Sequence, residues 1–480
     1  MLRRRGAVLS SLVLVLVTLL LGAPGAGAAT VTVTNGSQFT DTSGALVHAH
    51  GGGMLKVGAY YYWFGENRNA DDTFRAVSAY RSTDLKTWEF RGDVLTQSSA
   101  AELGRAKIER PKVLYNSSTG QYVMWMHKEN GDDYAEARAA VATSSTVDGG
   151  YTYRGSFRPL GAHMSRDITL FKDDDGTAYM ASAARENADL NVYRLTADYT
   201  GVAALVRTLW PGSYREAPAM FKRNGVYFML TSAATGWQPN QQKYATATSV
   251  TGTWSGLANV GDSTGFGSQT AYVLPVQGSQ ATSYLYLGDR WAGAWNRPVN
   301  ESRYVWLPLS FPSATTMSMS WYPKVSVDAA TGVVAGAGTG SAYESLVARH
   351  SGKCADIPGS ARDDGVQLKQ YSCNGGGNQQ WSELDLGNGY VNLIARHSGK
   401  CLDVSDGSTA DGAAAVQWTC NGGTNQQWQA QAADGGYVRW VARHSGKCLD
   451  VVSASTADGA AVKQYPCTGV TNQQWQRRAA

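Results

Sequence analysis

Residues 347–354 have the sequence VARHSGKC, and nearly the same octapeptide returns at residues 394–401 and 441–448. The period is 47 residues, and each copy ends in the tetrapeptide NQQW. A unit of this size, made of short strands, cannot bury a core alone, so the copies must share one. The repeated tryptophan of the tetrapeptide supplies that core. This part of the chain therefore predicts one all-β domain built from three equivalent units.

All six cysteines of the chain lie in these repeats. They form three pairs with the same spacing of 19 residues: Cys354/Cys373, Cys401/Cys420 and Cys448/Cys467. Zinc is a poor explanation, because no CxxC pair is present and the same spacing recurs in every repeat. In an exported protein this spacing predicts one disulfide bond inside each repeat.

The N-terminus predicts export. Arg3, Arg4 and Arg5 precede an apolar run over residues 7–21, and small residues follow up to Ala28. This order is typical of a secretory signal peptide, here residues 1–28. No later stretch approaches the ~18 apolar residues of a membrane span, so we expect a secreted, extracellular protein without a membrane partner. The formal net charge of +4, from 42 basic and 38 acidic residues, is too balanced to indicate a nucleic-acid partner.

Residues 29–334 alternate short β-rich runs with Gly-, Asp- and Asn-rich turns, without a sustained helical period. The clearest runs are residues 59–64, 121–127, 177–183, 225–232 and 283–287. Strand clusters at this spacing predict a β-propeller of about five blades, with a long β-sandwich as the alternative. A Gly-rich stretch at residues 335–342 predicts a linker, and residues 343–480 form the repeat domain. The predicted fold class is all-β, a propeller followed by the repeat domain.

Four acidic residues stand at the ends of apolar runs, one in each successive strand cluster: Glu66, Glu109, Asp167 and Glu216. Hydrolysis of a glycosidic bond needs a protonated carboxylic acid at the leaving oxygen and a second group that attacks carbon or activates water. A propeller would gather such residues around its axis. We expect the arginine beside three of them to hold that carboxylate ionised or oriented: Arg110, Arg166 and Arg215. The alternative is that each acid only caps a turn.

Residues 343–477 resemble the ricin-B-type β-trefoil lectins, carbohydrate-binding module family 13, in their three copies and Gln-x-Trp endings. The resemblance implies one sugar pocket per repeat, with an Asp for the hydroxyls, an aromatic ring that stacks on the sugar and an Asn nearby. The implied residues are Asp356, Tyr371 and Asn378, then Asp403, Trp418 and Asn425, then Asp450, Tyr465 and Asn472. The alternative is that each Asp only supports its hairpin. Three weak sites would bind a polymer through avidity.

Residues 45–311 resemble glycoside hydrolase family 43, and most of all its exo-β-1,3-galactanase branch. The motifs that carry the resemblance are VHAHGGG at 47–53, YWFGE at 62–66, ERPK at 109–112, RD at 166–167, EAP at 216–218, TGWQPN at 235–240, SQT at 268–270, GDRW at 288–291 and WLP at 306–308. The family implies a five-bladed propeller and an inverting reaction. It also implies Glu216 as the general acid and Asp167 as the carboxylate that keeps this acid protonated.

The second catalytic group has two candidates. Most of the family has an Asp on the first blade, where this chain has His48, Ala49 and His50. In the β-1,3-galactanase branch the role falls to a Gln acting as its imidic tautomer, and Gln269 matches that position. Glu109 is the rival, because a carboxylate activates water without tautomerisation. We interpret the Gly-rich turn at residues 50–53 as backbone that passes close to the sugar.

The resemblance further implies substrate contacts from Glu66, Asn187, Thr235 and Trp237, with Asn191 as the competitor of Asn187. Together these features predict a secreted, inverting exo-hydrolase of β-1,3-galactan, a monomer without cofactor or metal, whose C-terminal domain binds the polysaccharide. An arabinofuranosidase or xylosidase on the same propeller is one alternative. A non-catalytic lectin for adhesion is another, because the first-blade Asp is missing.

Overall fold

Strands make up almost all the regular structure of the computed structural model, which describes residues 30–295, 297–337, 343–385 and 389–479. The predicted signal peptide lies outside the described residues, as do residues 338–342 of the predicted linker. In the described ranges the helices are short 3-10 segments: Gln97–Ser99, Ala101–Leu103, Pro159–Gly161, Ala292–Trp295, Val299–Glu301, Pro358–Ser360, Gly377–Gln379, Ser405–Gly407, Thr424–Gln426, Asp434–Gly436, Val452–Ala454 and Thr471–Gln473. None of these is long and apolar enough to cross a membrane.

The N-terminal strand β1 (Val31–Thr34) belongs to a small sheet that is completed much later in the chain. Five further sheets then follow, each made of four consecutive antiparallel strands. The first contains β2 (His50–Val57), β3 (Tyr60–Arg68), β4 (Phe74–Ser82) and β5 (Glu89–Thr96); the second contains β6 (Ala106–Asn116), β7 (Gln121–Asn130), β8 (Arg138–Ser144) and β9 (Thr152–Phe157). The third contains β10 (Ile168–Lys172), β11 (Ala178–Ala184), β12 (Asp189–Leu195) and β13 (Val202–Leu209); the fourth contains β14 (Arg215–Arg223), β15 (Val226–Ala233), β16 (Gln242–Ala247) and β17 (Ala258–Val260). The fifth contains β18 (Gln269–Gln277), β19 (Thr282–Arg290), β20 (Arg303–Ser310) and β21 (Ser318–Met319).

The first strands of the five sheets contact one another in sequence. Strand β2 contacts β6, β6 contacts β10, β10 contacts β14, β14 contacts β18, and β18 returns to β2. A closed ring of radial four-stranded sheets is the arrangement of a β-propeller, with the first strand of each sheet at the axis. The predicted propeller is therefore confirmed, and the long β-sandwich is wrong.

The ring closes between the fifth sheet and the first through a buried aromatic cluster. The ring centroid of Trp63 lies 4.8 Å from that of Tyr304 and 5.2 Å from that of Trp306. Strands β22 (Lys324–Asp328) and β23 (Val333–Ala337) pair with β1 beside this cluster in the order β1-β22-β23. Residues 335–337, the first three of the predicted linker, therefore belong to a strand.

The C-terminal domain contains thirteen short strands in the described residues. They are β24 (Glu344–Ala348), β25 (Cys354–Asp356), β26 (Val366–Gln367), β27 (Lys369–Tyr371), β28 (Trp381–Asp385), β29 (Val391–Ala395), β30 (Cys401–Val404), β31 (Ala415–Trp418), β32 (Trp428–Ala432), β33 (Val438–Ala442), β34 (Cys448–Val451), β35 (Val462–Tyr465) and β36 (Trp475–Ala479). The first strand pairs with the last, β24 with β36, which closes the domain. The repeated tryptophans Trp381, Trp428 and Trp475 lie fully buried in one shared core. The three predicted disulfides are confirmed: Cys354–Cys373, Cys401–Cys420 and Cys448–Cys467.

Candidate active site

A cavity of about 580 Å³ opens at the propeller axis and is lined from all five sheets. Seven of the eight residues predicted for catalysis and substrate binding line it: Glu66, Glu109, Asp167, Asn187, Glu216, Trp237 and Gln269. Residues that are distant in sequence therefore meet in one place, as the propeller prediction requires.

Irregularities in the axial strands aim these side chains. The pairing register shifts between Glu109 and Lys112 in the second sheet and between Glu216 and Ala219 in the fourth. Within these two bulges Arg110 and Ala217 have left-handed backbone, with φ of 54° and 50°. A bulge breaks the strict alternation of a strand and re-aims a side chain. The local strain thus lies at Arg110, which lines the cavity, and at the residue after Glu216, which also lines it.

Glu216 is buried and holds a proton near neutral pH. Its Oε1 lies 2.9 Å from Gln269 Nε2, and its Oε2 lies 3.1 Å from Asn187 Nδ2. Burial, and then the negative charge of Asp167, raise the pKa of Glu216 to about 8. Asp167 is held in turn by the backbone N–H of Ala217, which donates to its Oδ2 at 3.0 Å. This environment suits a carboxylic acid that donates a proton.

Arg110 contacts groups on three sides of the cavity, two through its guanidinium and one through its backbone N–H. Its Nε lies 2.9 Å from Asp167 Oδ1, and its Nη2 donates to Gln269 Oε1 at 2.6 Å. The backbone N–H of the same residue donates to Glu66 Oε1 at 2.8 Å. One residue therefore fixes the positions of three groups that sequence analysis places in the site.

The expectation that each arginine holds its neighbouring carboxylate is wrong. Arg166 contacts Glu186 instead of Asp167, and Arg215 donates to Thr231 Oγ1 at 3.0 Å. Consecutive side chains of a strand point to opposite faces, so a sequence neighbour is seldom a partner. Glu109 likewise takes its arginine from the first sheet: Arg68 Nη2 lies 2.9 Å from its Oε1.

Glu109 is the centre of a buried hydrogen-bond network. Besides Arg68, Tyr134 OH donates to its Oε1 at 2.8 Å, and His127 Nδ1 lies 2.9 Å from its Oε2. Burial raises the pKa of Glu109, but Arg68 and then His127 outweigh this and hold the pKa well below its usual value. Burial lowers the pKa of His127, but Glu109 and Glu129 together raise it to about 9. Glu109 is therefore a stabilised anion and a weak base.

Glu109, His127 and Asp167 offer donor atoms within 4.8 Å of one another, which is close enough for a metal ion. However, the second nitrogen of His127 lies 2.8 Å from Glu129 Oε1. An imidazole that donates from both nitrogens has no lone pair for a metal. Glu109 and His127 belong here to a hydrogen-bond network, and Asp167 pairs separately with Arg110.

The partners of Gln269 decide which way its amide points. Arg110 Nη2 and Trp291 Nε1 both donate to its Oε1, at 2.6 and 2.7 Å, and neither group can accept. Its Nε2 donates to Glu216 and, at 3.0 Å, to Ser232 Oγ. Trp291 was not predicted from the sequence, although it ends the GDRW motif directly after a strand.

Residues 52–262 match the family model for glycosyl hydrolases family 43. An exo-beta-1,3-galactanase from Clostridium thermocellum has 48% sequence identity, and the match covers 94% of this chain and all of that one, with a TM-score of 0.65. This chain belongs to glycoside hydrolase family 43. It is therefore a glycoside hydrolase.

Two further relatives are more distant. An exo-beta-1,3-galactanase from Phanerochaete chrysosporium, solved with beta-1,3-galactotriose, is 28% identical over 93% of this chain and 92% of that one, with a TM-score of 0.63. A beta-D-galactofuranosidase from Aspergillus niger is 34% identical over 230 residues, and the chain covers 66% of that protein's length. The C-terminal residues 333–418, 378–465 and 424–480 each match the model of ricin-type beta-trefoil lectin domain-like proteins.

His50 on the first blade of this family 43 protein has a structural role. His50 Nδ1 lies 2.8 Å from Asp289 Oδ1, and its ring stacks on Tyr304 at 4.4 Å between centroids. The glycines after it allow protein groups to approach: a Cβ on Gly51 would lie 2.1 Å from Glu66 Oε1, and one on Gly52 1.9 Å from the carbonyl oxygen of Phe64. The interpretation that this turn passes close to the sugar is therefore replaced by close packing within the protein.

The remaining predicted contacts differ in their placement. The ring of Trp237 lies beside that of Trp291, with 5.4 Å between centroids, at the cavity wall. Thr235 does not line the cavity, because its hydroxyl donates to Gln238 O at 2.6 Å within its own loop. Asn191 is occupied by Tyr193, whose hydroxyl accepts from its Nδ2 at 2.9 Å. Of the two candidate asparagines, Asn187 is the one in the cavity.

The trefoil repeats present three similar carboxylates. Asn378 Nδ2 and Gln379 Nε2 each donate to Asp356 Oδ2 at 2.9 Å, and the matching bonds recur at Asp403 and Asp450. The glutamines were not predicted from the sequence, although their fixed place in NQQW could have indicated them. The stacking candidates Tyr371 and Tyr465 are 46% and 48% exposed. The first and third pockets thus combine a fixed carboxylate with an exposed aromatic ring.

Proposed function

We propose that this chain is a secreted, exo-acting galactanase that hydrolyses β-1,3-galactan with inversion and releases galactose or substituted galactose. Two of its relatives are exo-beta-1,3-galactanases that match over more than nine tenths of the chain. The observation that carries the proposal is the buried Glu216 in the axial cavity, whose pKa burial and then Asp167 raise to about 8. Inverting glycosidases need such a proton donor at the leaving oxygen.

Glu216 is assigned as the general acid. At neutral pH it holds a proton that it transfers to the glycosidic oxygen as the bond to the anomeric carbon breaks. Asp167 acts through its charge, because a second negative group nearby makes early ionisation of the acid unfavourable. Arg110 keeps Asp167 in place.

Gln269 is assigned to the attacking water. Arg110 and Trp291 fix its amide, and Glu109 is a poor base because Arg68 and His127 stabilise its anion. An inverting reaction needs about 6.5–9.5 Å between its two catalytic groups to admit the water. The 2.9 Å contact between Gln269 and Glu216 must therefore open when the sugar enters.

Glu66, Glu109, Asn187 and Trp237 are assigned to substrate binding. The carboxylates accept hydrogen bonds from sugar hydroxyls, and the indole stacks on a pyranose face. The trefoil pockets are assigned to galactose-containing chains, which would hold the enzyme on its polymer. The three disulfides favour an oxidising, extracellular location.

The test is the release of reducing sugar from β-1,3-galactan, β-1,4-galactan, arabinan, xylan and a galactofuranoside. We expect activity on β-1,3-galactan and, by NMR at early times, α-galactose as the first product. Glu216→Gln should lose about 100- to 10,000-fold in kcat, the usual contribution of a general acid. Activity confined to another polymer would refute the galactanase assignment. Inactivity on all of them with sugar binding intact would favour the adhesive lectin.

Gln269→Ala and Glu109→Gln distinguish the two candidate bases. If Gln269 activates the water, Gln269→Ala should lose kcat, and azide should restore turnover by replacing the water. Glu109→Gln should mainly raise KM, because it loses a contact to substrate in the ground state as well. Azide rescue of Glu109→Gln alone would transfer the role to Glu109.

A further inference from the structure

The second trefoil pocket is built differently from the other two, because the propeller covers it. A cavity of about 710 Å³ lies between the two domains. On the trefoil side it is lined by Asp403, Trp418 and Asn425, and on the propeller side by Trp295, Arg297 and Arg303, among others. The pocket of the third repeat, around Asp450 and Tyr465, has only trefoil residues in its wall.

The contact that creates this cavity is specific to the second repeat. Arg303 packs so closely on Gly422 that a Cβ there would lie 1.6 Å from its Nη1. The matching glycines of the other repeats, Gly375 and Gly469, have open space at the same position. Trp321 of the propeller packs against the buried cluster of Leu384, Ile394, Cys401 and Cys420. The propeller thus selects one of three similar surfaces.

Two arginines of this wall, Arg290 and Arg303, lie opposite each other on neighbouring strands. Arg290 is buried, donates to the carbonyl oxygens of Phe266 and Cys420, and has an Nε without a hydrogen-bond partner in the described part of the chain. Neither Arg290 nor Arg303 forms a salt bridge with a described carboxylate. Burial, followed by the charge of Arg303, lowers the pKa of Arg290 to about 9. Two adjacent arginines, Arg290 buried and Arg303 half-buried, that lack a salt-bridged carboxylate favour an anion beside them.

No carboxyl group in the described lining of the cavity forms a salt bridge with Arg290 or Arg303. The exposed Asp406 accepts a hydrogen bond from Ser405 Oγ at 3.0 Å instead. Glu301 pairs with Arg297 at the rim. Asp403 accepts from Asn425 and from Gln426, and its burial raises its pKa to about 7. A partly protonated, hydrogen-bonded acid neutralises an arginine poorly.

We propose that the second trefoil pocket and the propeller wall together form one site for a sugar that carries a carboxylate. The sugar ring lies on Trp418, its hydroxyls bond to Asp403 and Asn425, and its carboxylate faces Arg303. Arginine is suited to this role, because its planar guanidinium binds a carboxylate through two parallel hydrogen bonds. The site would bind a uronic acid at the end of a galactan side chain. The inference rests on the sugar-binding role proposed for the trefoil and is independent of catalysis.

The test is calorimetric titration of the full chain with two disaccharides of the same linkage, one galactose–uronic acid and one galactose–galactose. The binding heat that is lost in the Trp418→Ala variant comes from this pocket and not from the active site. We expect the acidic sugar to bind about tenfold tighter there, since a charge-assisted hydrogen bond contributes more than a neutral one. The preference should weaken with added salt.

Arg303→Gln should remove the preference and keep the neutral affinity, while Tyr465→Ala in the third pocket should leave the preference unchanged. Because Arg303 packs at the domain contact, Arg297→Gln at the exposed rim is the second variant, and it should reduce the preference without affecting folding. Equal affinities in the unaltered chain would overturn the inference, as would a preference that survives Arg303→Gln in a folded protein. If neither disaccharide binds in a Trp418-dependent manner, the sugar-binding role of this pocket fails, whereas the galactanase activity is judged separately.

Discussion

Arg110 and Asp167 form an ion pair across two sheets, with 2.9 Å between Nε and Oδ1, although another carboxylate precedes Arg110 directly in the chain. The same guanidinium orients Gln269. The left-handed backbone of Arg110 also lets its N–H reach Glu66. The positions of Asp167, which raises the pKa of the general acid, and of Gln269, which is assigned to the water, therefore both depend on the Arg110 side chain.

Arg110→Lys should reduce kcat about 100-fold, because an ammonium cannot reproduce the fork that positions two groups and small displacements in a site are this costly. The measurement is kcat and KM on a β-1,3-galactan oligosaccharide. Arg215→Lys is the matched control, since Arg215 adjoins Glu216 but bonds to Thr231. Equal losses in both variants would mean that Arg110 only supports the fold.

The pH profile should report the state of Glu216. With a pKa of about 8, the acid is protonated below pH 8 and loses its proton above, so kcat/KM should fall on the basic side. Asp167→Asn removes a negative charge that raises this pKa, so the basic limb should move to lower pH. The limb should stay above the ordinary pKa of a Glu, because burial is the larger cause.

The measurement is kcat/KM of both proteins between pH 4 and 10. Asp175→Asn, in an exposed hairpin, is the control for a general change in charge. A basic limb that stays in place in Asp167→Asn, despite lower activity, would show that Asp167 does not tune the acid.

The trefoil could be predicted from sequence because three copies test one another: the cysteine spacing, the shared tryptophans and the pocket Asp recur in each. The propeller followed from strand spacing and motifs, and the same motifs marked most of the cavity residues. In each case a local pattern carries the information.

The connections between blades could not be predicted in this way. The partner of Glu109 is Arg68, 41 residues earlier, and the partner of Gln269 is Arg110, 159 residues earlier. Such pairs depend on which sheet meets which at the axis. Thr235 lies outside the cavity lining for a related reason, because a motif residue can form its hydrogen bonds within its own loop. A repeat pattern cannot predict that the propeller covers the second trefoil pocket, because the pattern is the same in all three repeats.

Stability should depend on the charge of His127. Its folded pKa of about 9 lies above the ordinary value of 6.5, so its stabilising contribution is complete below pH 6.5 and is lost as pH rises through 9. We therefore expect the Tm of the propeller to fall across this window. The His127→Gln variant should have a lower Tm at pH 6.5, and its Tm should depend less on pH. His163→Gln is the control, because His163 contacts the hydroxyl of Tyr193 and no carboxylate of the described residues. An unchanged slope in His127→Gln would refute the buried imidazolium.

Removal of one exposed trefoil platform should weaken binding to the polymer and leave turnover of short substrates intact. Tyr371→Ala and Tyr465→Ala each delete a half-exposed ring beside a fixed carboxylate. Each should lower the affinity for insoluble β-1,3-galactan about tenfold, and the double variant further, because avidity multiplies separate weak sites. The measurement is depletion from solution by the polymer, with kcat on a trisaccharide as the internal check. Tyr115→Ala, an exposed tyrosine of the propeller, is the control. Unchanged depletion in the double variant would locate polymer binding in the second pocket and the catalytic cavity.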